Sequence, residues 1–291
     1  MPRTQQNLRQ LGCRFGCFLG NFSFVADPDV YPSAPVVLVT LELRHPLSDR
    51  LANSEQRALK RLLSDHAPIL RTGQMQTVQV TASNAGADQQ IDTEHFPRFV
   101  NRAGTLTVSY RQTAVVVETT AYPGWDKFKT IATDALAARM QVSPVDAVER
   151  IGLRYIDEVR VPNGYGAVDW TQWLAQSVMA PSPPEDVALP LAQWQGVAIY
   201  GAQPGHMMLM RYGPQNGLAV NFEGGDLRRA QLADPGPFFL IDIDSFWTPT
   251  EELPEVDVER VMATCDEIHG PVRRLFESLV KDMLRDEVFR K

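Results

Sequence analysis

The sequence predicts an α+β fold: curved antiparallel sheets with long helices on one face, built from two pseudo-repeated strand-helix-strands-helix halves. Three observations predict it. Apolar-polar alternation marks several strands separated by Gly/Pro turn chemistry rather than by regular crossover helices, which argues for antiparallel pairing. Two long apolar stripes at helical spacing follow the two groups of strands. The order strand, helix, strands, helix is met twice in pattern, without a residue-level repeat.

The elements follow in order. "VVLVTLELRH" after "DPDVYPSAP" is a strand, with Leu41 and Leu43 facing one way and Glu42 and Arg44 the other. "NSEQRALKRLLSD" is a helix capped by Asn53, with Gln56 at the capping-box position and Leu59, Leu62 and Leu63 as its stripe. "MQTVQVTAS" is a strand with Val78 and Val80 inward, and "SNAGADQQIDTEHFP" a polar loop. "GTLTVSYRQTAVVVETTAYPGW" is a hairpin. "WDKFKTIATDALAARMQ" is a helix that Ser143–Pro144 ends.

The second half opens with "IGLRYIDEVRVP", a strand. "VDWTQWLAQSV" is a short helix with Trp170, Trp173 and Leu174 on one side, and "MAPSPPEDVALP" a surface loop. "QGVAIYG", "HMMLMRYG", "GLAVNFEGG" and "PFFLIDIDSFW" are strands, with "FEGGDL" a turn. A helix runs from about Val256 to the C-terminus, its stripe reaching Met283, with a kink at Pro271. The expected organisation is a loose tail over 1–30, disordered or added by a mis-assigned start, then α+β halves over 31–145 and 146–291 that share one sheet or core.

Composition narrows the function classes. The chain has 291 residues, 44% hydrophobic and 22% charged, an ordinary globular balance. A net charge of −7 repels phosphate, so nucleic acid is a disfavoured partner unless a local basic stripe exists. Cys13, Cys17 and Cys265 make no disulfide framework, which suits a cytoplasmic protein. No stretch approaches 18 apolar residues, so no membrane span is expected. There is no G-x-S-x-G elbow, P-loop, dinucleotide fingerprint or H-E-x-x-H, and no catalytic residue or cofactor is assigned.

One strand raises a question. In "IGLRYIDEVRVP", Ile151, Leu153, Tyr155 and Val159 share a face that belongs in a core, whereas Arg150, Arg154, Glu158 and Arg160 share the other. In "FFLIDIDSFW", Asp242 and Asp244 also share one face, so Arg154 can meet one of them across neighbouring strands. A structural ion pair is the plain expectation. The sharper one makes Asp242 and Asp244 ligands for a hard cation, with a third ligand such as Glu223 or Asp226. His269 lies on the stripe of the last helix and reads as a packed histidine that can bond a freed carbonyl or reach the aspartates.

Read together, "YPSAPVVLVTLELR", "YPGWDKFKTIATDAL", "IGLRYIDEVRVP", "IDIDSFW" and "IHGPVRRLFESL" resemble an uncharacterised, sporadically distributed bacterial protein family. The resemblance spans roughly residues 30–285. The chain departs from that pattern at Asp157, where the family has Asn. The resemblance implies no activity; its patchy distribution implies an accessory or defence-type, toxin–antitoxin-like system.

The expectation is therefore a non-enzymatic binding module, with Arg154, Tyr155, Asp157, Asp242, Asp244 and His269 as one recognition cluster. Another protein is the expected partner and a small ligand the second choice. An exposed apolar patch around Trp170, Trp173 and Met207–Met210 is the sign to look for. The alternative is a metal-dependent phosphate-ester hydrolase using Asp242 and Asp244, with Arg154 on the anion.

Overall fold

The computed structural model describes residues 31–83, 86–162, 168–180, 191, 193–201, 205–231 and 233–291, the side chains of 78–90 excepted. Tyr31–Lys291 forms one compact unit. The readings of the N-terminal tail with its two cysteines, of Val78 and Val80, and of most of the Pro-rich loop lie outside the described residues.

The fold is α+β, centred on a nine-stranded antiparallel sheet in the order β2-β3-β4-β5-β1-β6-β9-β8-β7. The strands are β1 (Val36–Arg44), β2 (Ile69–Ser83), β3 (Gly86–Val100), β4 (Leu106–Tyr110), β5 (Ala114–Thr119), β6 (Arg150–Val159), β7 (Gly196–Tyr200), β8 (His206–Gly217) and β9 (Gly236–Trp247). The helices among the described residues are α1 (Asn53–Leu62), α2 (Trp125–Val142), α3 (Val258–Leu279) and the short α4 (Asp282–Leu284), which a π-helical turn (Arg285–Phe289) follows. The first strand of each half meets the other at the centre: β1 pairs with β6, Leu41 opposite Leu153 and Leu43 opposite Ile151.

Alternation sets what is buried. Val39, Leu41 and Leu43 of β1, Ile151, Leu153, Tyr155 and Val159 of β6, and Phe239, Ile241 and Ile243 of β9 are buried at every second position. They join Phe128, Ala132 and Ala135 of α2 and Val261, Cys265 and Ile268 of α3 in one core cluster. At roughly 25 cal/mol per Å² of apolar surface, such a layer is the main source of stability.

Several elements differ from expectation. The polar loop is β3, paired with β2 from Ile69↔Val100 to Ser83↔Gly86. Its Ile91 and Asp92 are exposed, so no core imposes an apolar period at these positions. "VDWTQWLAQSV" forms two 3-10 turns, Trp170–Gln172 and Gln176–Val178, separated by a Leu174↔Val280 bridge. "GLAVNFEGG" is not a strand: β8 ends at Gly217, the Ala219 N–H goes to the Glu158 carboxylate, and the Glu223 N–H to Asn221 Oδ1. The turn at Glu223–Gly224 is present, with Gly224 at φ +74°. α1 is capped one residue early, its Ala52 N–H bonding Glu55 Oε2 at 2.6 Å, while Gln56 reaches the Leu51 carbonyl. α3 contains Pro271 and stops at Leu279; Met283 lies beyond it and is exposed.

Candidate functional site

β6 is central and presents both of its faces to chemistry. On the charged face, Arg154 sits opposite Asp244 in register but bonds Asp242, Nε to Oδ1 and Nη2 to Oδ2, both at 2.7 Å. Arg150 takes Asp244 at 3.0 and 3.1 Å. Each guanidinium leans toward the C-terminal end of β6, so the pairs are diagonal. Gly152 makes this possible for Arg150: a Cβ there would fall 2.1 Å from Arg150 Nη1. The Arg150 guanidinium lies over the Phe246 ring, 4.5 Å from its centroid.

The ladder continues outward. On β8, Arg211 faces Asp242 in register, 3.4 Å from Oδ2. On β1, Glu42 receives Arg44 and Arg150 and lies 3.9 Å from Arg111. Five guanidinium groups (Arg44, Arg111, Arg150, Arg154, Arg211) thus share three carboxylates (Glu42, Asp242, Asp244), a local balance of 5 − 3 = +2 on a chain of net −7. Asp242 is the most buried member, and Arg150 and Arg111 are mostly buried as well. Asp242 has 5% of its side chain exposed, against 44% for Arg154, 51% for Arg211 and 55% for Arg44. Hydrogen bonding to Asp242 raises the Arg154 pKa over the opposing effect of burial. On flanking strands, Glu118 accepts from Thr107 and Glu94 from the Gln112 N–H.

The far end of this face is closed. Glu158 is buried and accepts from Arg160, from Arg229 and from the Ala219 N–H. Burial pushes its pKa up, but the Ala219 N–H and the two guanidiniums outweigh that and lower it.

Tyr155, Asp157 and His269 lie on the opposite side of the sheet. Tyr122 Oη is 3.2 Å from Tyr155 Oη, which is 3.1 Å from His269 Nδ1. All three are satisfied when Tyr122 donates to Tyr155 and Tyr155 donates to a neutral imidazole. Trp125 stacks on His269 with centroids 4.2 Å apart and an 11° interplanar angle, and its Nε1 donates to Asp266. Burial pushes His269 down to about 4, Tyr122 up to about 12, and Tyr155 well above its ordinary value. Every member is therefore neutral near pH 7, and none has a pKa matched to proton transfer there. Asp157 is buried at the β1 irregularity opposite Val36; burial, then the Asp242 charge, push it up to about 8.

The six residues singled out from sequence thus form two groups. Arg154, Asp242 and Asp244 belong to the ladder; Tyr155 and His269 touch each other, and Asp157 shares their side of the sheet. Two cheap signals pointed to further members. The alternation Met207, Leu209, Arg211 puts Arg211 on the ladder face. "YPGW" before α2 carries Tyr122 and Trp125. Glu223 is not part of either group, and Asp226 lies 3.7 Å from Arg98 instead.

A metal at Asp242 and Asp244 would need both carboxylates turned toward a cation. Each is turned to a guanidinium, and among the described residues no three His, Cys, Asp or Glu converge as a metal site. The donor set does not fit a resident cation. The expected aromatic and methionine patch is also rearranged: Trp173, Met208 and Met210 are buried, whereas Met207 is exposed, as are Val197 and Ile199 on β7. No helix among the described residues is long and apolar enough to cross a membrane. No protein-family model matches the chain, and no curated protein matches it either.

Proposed function

We propose that this protein is a non-enzymatic binding module whose partner is another protein. One observation carries the reading: the ladder's carboxylates are engaged from within while Arg44, Arg154 and Arg211 stay half-exposed. Such a surface is organised for recognition, since fixed side chains lose little entropy when a partner arrives. The neutral, bonded state of Tyr122, Tyr155 and His269 supports the same reading, because it offers no poised base or nucleophile. In this reading the helices cover one face of the sheet, the two halves are pseudo-repeats, and the arginine face is left to the partner. The sequence resemblance adds an accessory or defence-type, toxin–antitoxin-like setting, and the absence of a disulfide framework adds a cytoplasmic one; each rests on that support alone.

The test is native mass spectrometry of the tagged protein purified gently from its own host. A stoichiometric protein partner is the expected result. A metal or small molecule retained at unit occupancy, without a protein partner, overturns the reading.

A further inference from the structure

The ladder face is not uniformly charged. Val197 and Ile199 on β7 share it, with 63% and 62% of their surfaces exposed, and Met207 beside them is exposed as well. The register fixes their neighbours. Val197 lies next to Arg211 and then Asp242; Ile199 lies next to Leu209 and then Asp244, whose own register partner is Arg154. Four aliphatic side chains, Val197, Ile199, Met207 and Leu209, therefore sit in adjacent rows at the end of the sheet, bordered by the exposed guanidiniums of Arg211 and Arg154. β7 is also the last strand of the sheet, and its five residues, GVAIY, carry no charge and no proline to blunt the edge.

We propose that this corner docks an extended acidic segment of a partner protein, its carboxylates on Arg211 and Arg154 and an aliphatic or aromatic anchor on Val197 and Ile199. The proposal rests on the binding-module reading above and names the partner's chemistry. Charge complementarity selects the occupant. The ladder holds two more guanidiniums than carboxylates, so incoming carboxylates meet cations that already share their counter-ions. A partner of the same sign as the bulk of the chain thus meets an excess of cations here. Two features favour an acidic peptide over nucleic acid. The carboxylates of Asp242 and Asp244 interrupt the row of cations, and the net charge of −7 opposes a polyanion beyond this patch. The apolar surface is aliphatic, whereas single strands are held on exposed aromatic faces, and Phe246 is already covered by Arg150.

The test uses the full chain and fluorescence anisotropy with three labelled probes: a peptide alternating Glu and Leu, its Gln/Leu counterpart, and an oligothymidine. The Glu/Leu peptide is expected to bind at least tenfold more tightly than the Gln/Leu peptide, and more weakly as salt rises. Arg211→Glu and Ile199→Ser, both at exposed positions, should each lower that affinity at least fivefold, and Arg57→Glu on α1 should leave it unchanged. Equal binding of the two peptides overturns the proposal, as does tighter binding of oligothymidine. A second measurement separates this inference from the reading beneath it. If the protein retrieved from its host still binds both variants fully, the docking corner is refuted while the binding-module reading survives.

Discussion

Replacing Asp157 by Asn should change the pH dependence of stability more than any other single substitution on this sheet. The carboxyl is buried and pushed up to about 8, whereas the same group in an unfolded chain has its ordinary value of 3.8. Between those values the native state holds a proton that the unfolded state has released. Stability contributed by the protonated form is therefore full at low pH and is lost as pH rises through that window. Each pH unit inside it is worth about 1.4 kcal/mol. From pH 5 to pH 8 the parent should thus lose roughly 4 kcal/mol relative to Asp157→Asn, which keeps the shape of the neutral acid and cannot ionise.

All other titrating groups are common to the two proteins, so the difference between their urea midpoints isolates Asp157. Denaturation at pH 5, 6, 7 and 8 with constant m-value is the assay. The gap should widen in favour of the variant at every step and level off above pH 8. Parallel midpoints across that range would refute the idea that this carboxyl is held neutral by burial. Asn has the size and shape of the carboxylic acid, so the substitution is chemically modest.

Three further outcomes are expected. His269→Gln should remove an opposite slope: burial pushes the imidazole down to about 4, the unfolded chain takes up a proton as pH falls below the ordinary 6.5, and the parent should lose roughly 3 kcal/mol relative to the variant between pH 6.5 and 4 in thermal melts or urea titrations. Arg154→Ala leaves buried Asp242 with only Arg211 at 3.4 Å, so a loss of roughly 1–3 kcal/mol is expected, read as a melting temperature several degrees lower; an unchanged melting temperature would show that the pair adds nothing. Gly152→Ala should cost roughly 1–3 kcal/mol by pushing Arg150 off Asp244, and a double-mutant cycle should show most of that cost gone in an Arg150→Ala background.

The parts legible in the sequence were those in which burial imposes a period. β1, β4, β6 and β9 alternate apolar and polar residues because one face of each joins the core, β5 reads as a short apolar run, and α2 repeats Phe128, Ala132 and Ala135 at helical spacing. β3 was not legible, because Ile91, Asp92 and His95 are exposed and no apolar period marks the strand, so "GADQQIDTEH" reads as a loop. The stretch after Gly217 misled in the other direction. Its apolar letters suggest a strand, but its N–H groups are taken by Glu158 and Asn221 rather than by a neighbouring strand. At the site, alternation alone placed Arg154 with Asp242 and Asp244. It could not place Glu42 beside Arg150, since that contact depends on β1 pairing with β6 across more than a hundred residues of chain.

The expected single cluster divides because β6 points Arg154 and Tyr155 in opposite directions, and the division has a physical consequence. On the Tyr155 side, burial favours the neutral forms of His269, both tyrosines and Asp157, the last pushed up to about 8. On the Arg154 side, Asp242 and Asp244 are engaged by Arg150, Arg154 and Arg211, of which Arg154 and Arg211 stay half-exposed. A ligand arriving on the ladder meets guanidinium charge whose strength depends on salt. The titration of Asp157 sits directly behind it, and its ionisation would add a negative charge near Asp242, which already raises the Asp157 pKa. The same coupling read in reverse requires that a carboxylate bound at Arg154 make Asp157 harder still to ionise, so an acidic partner should bind more tightly below pH 8 than above it, and Asp157→Asn should abolish that difference.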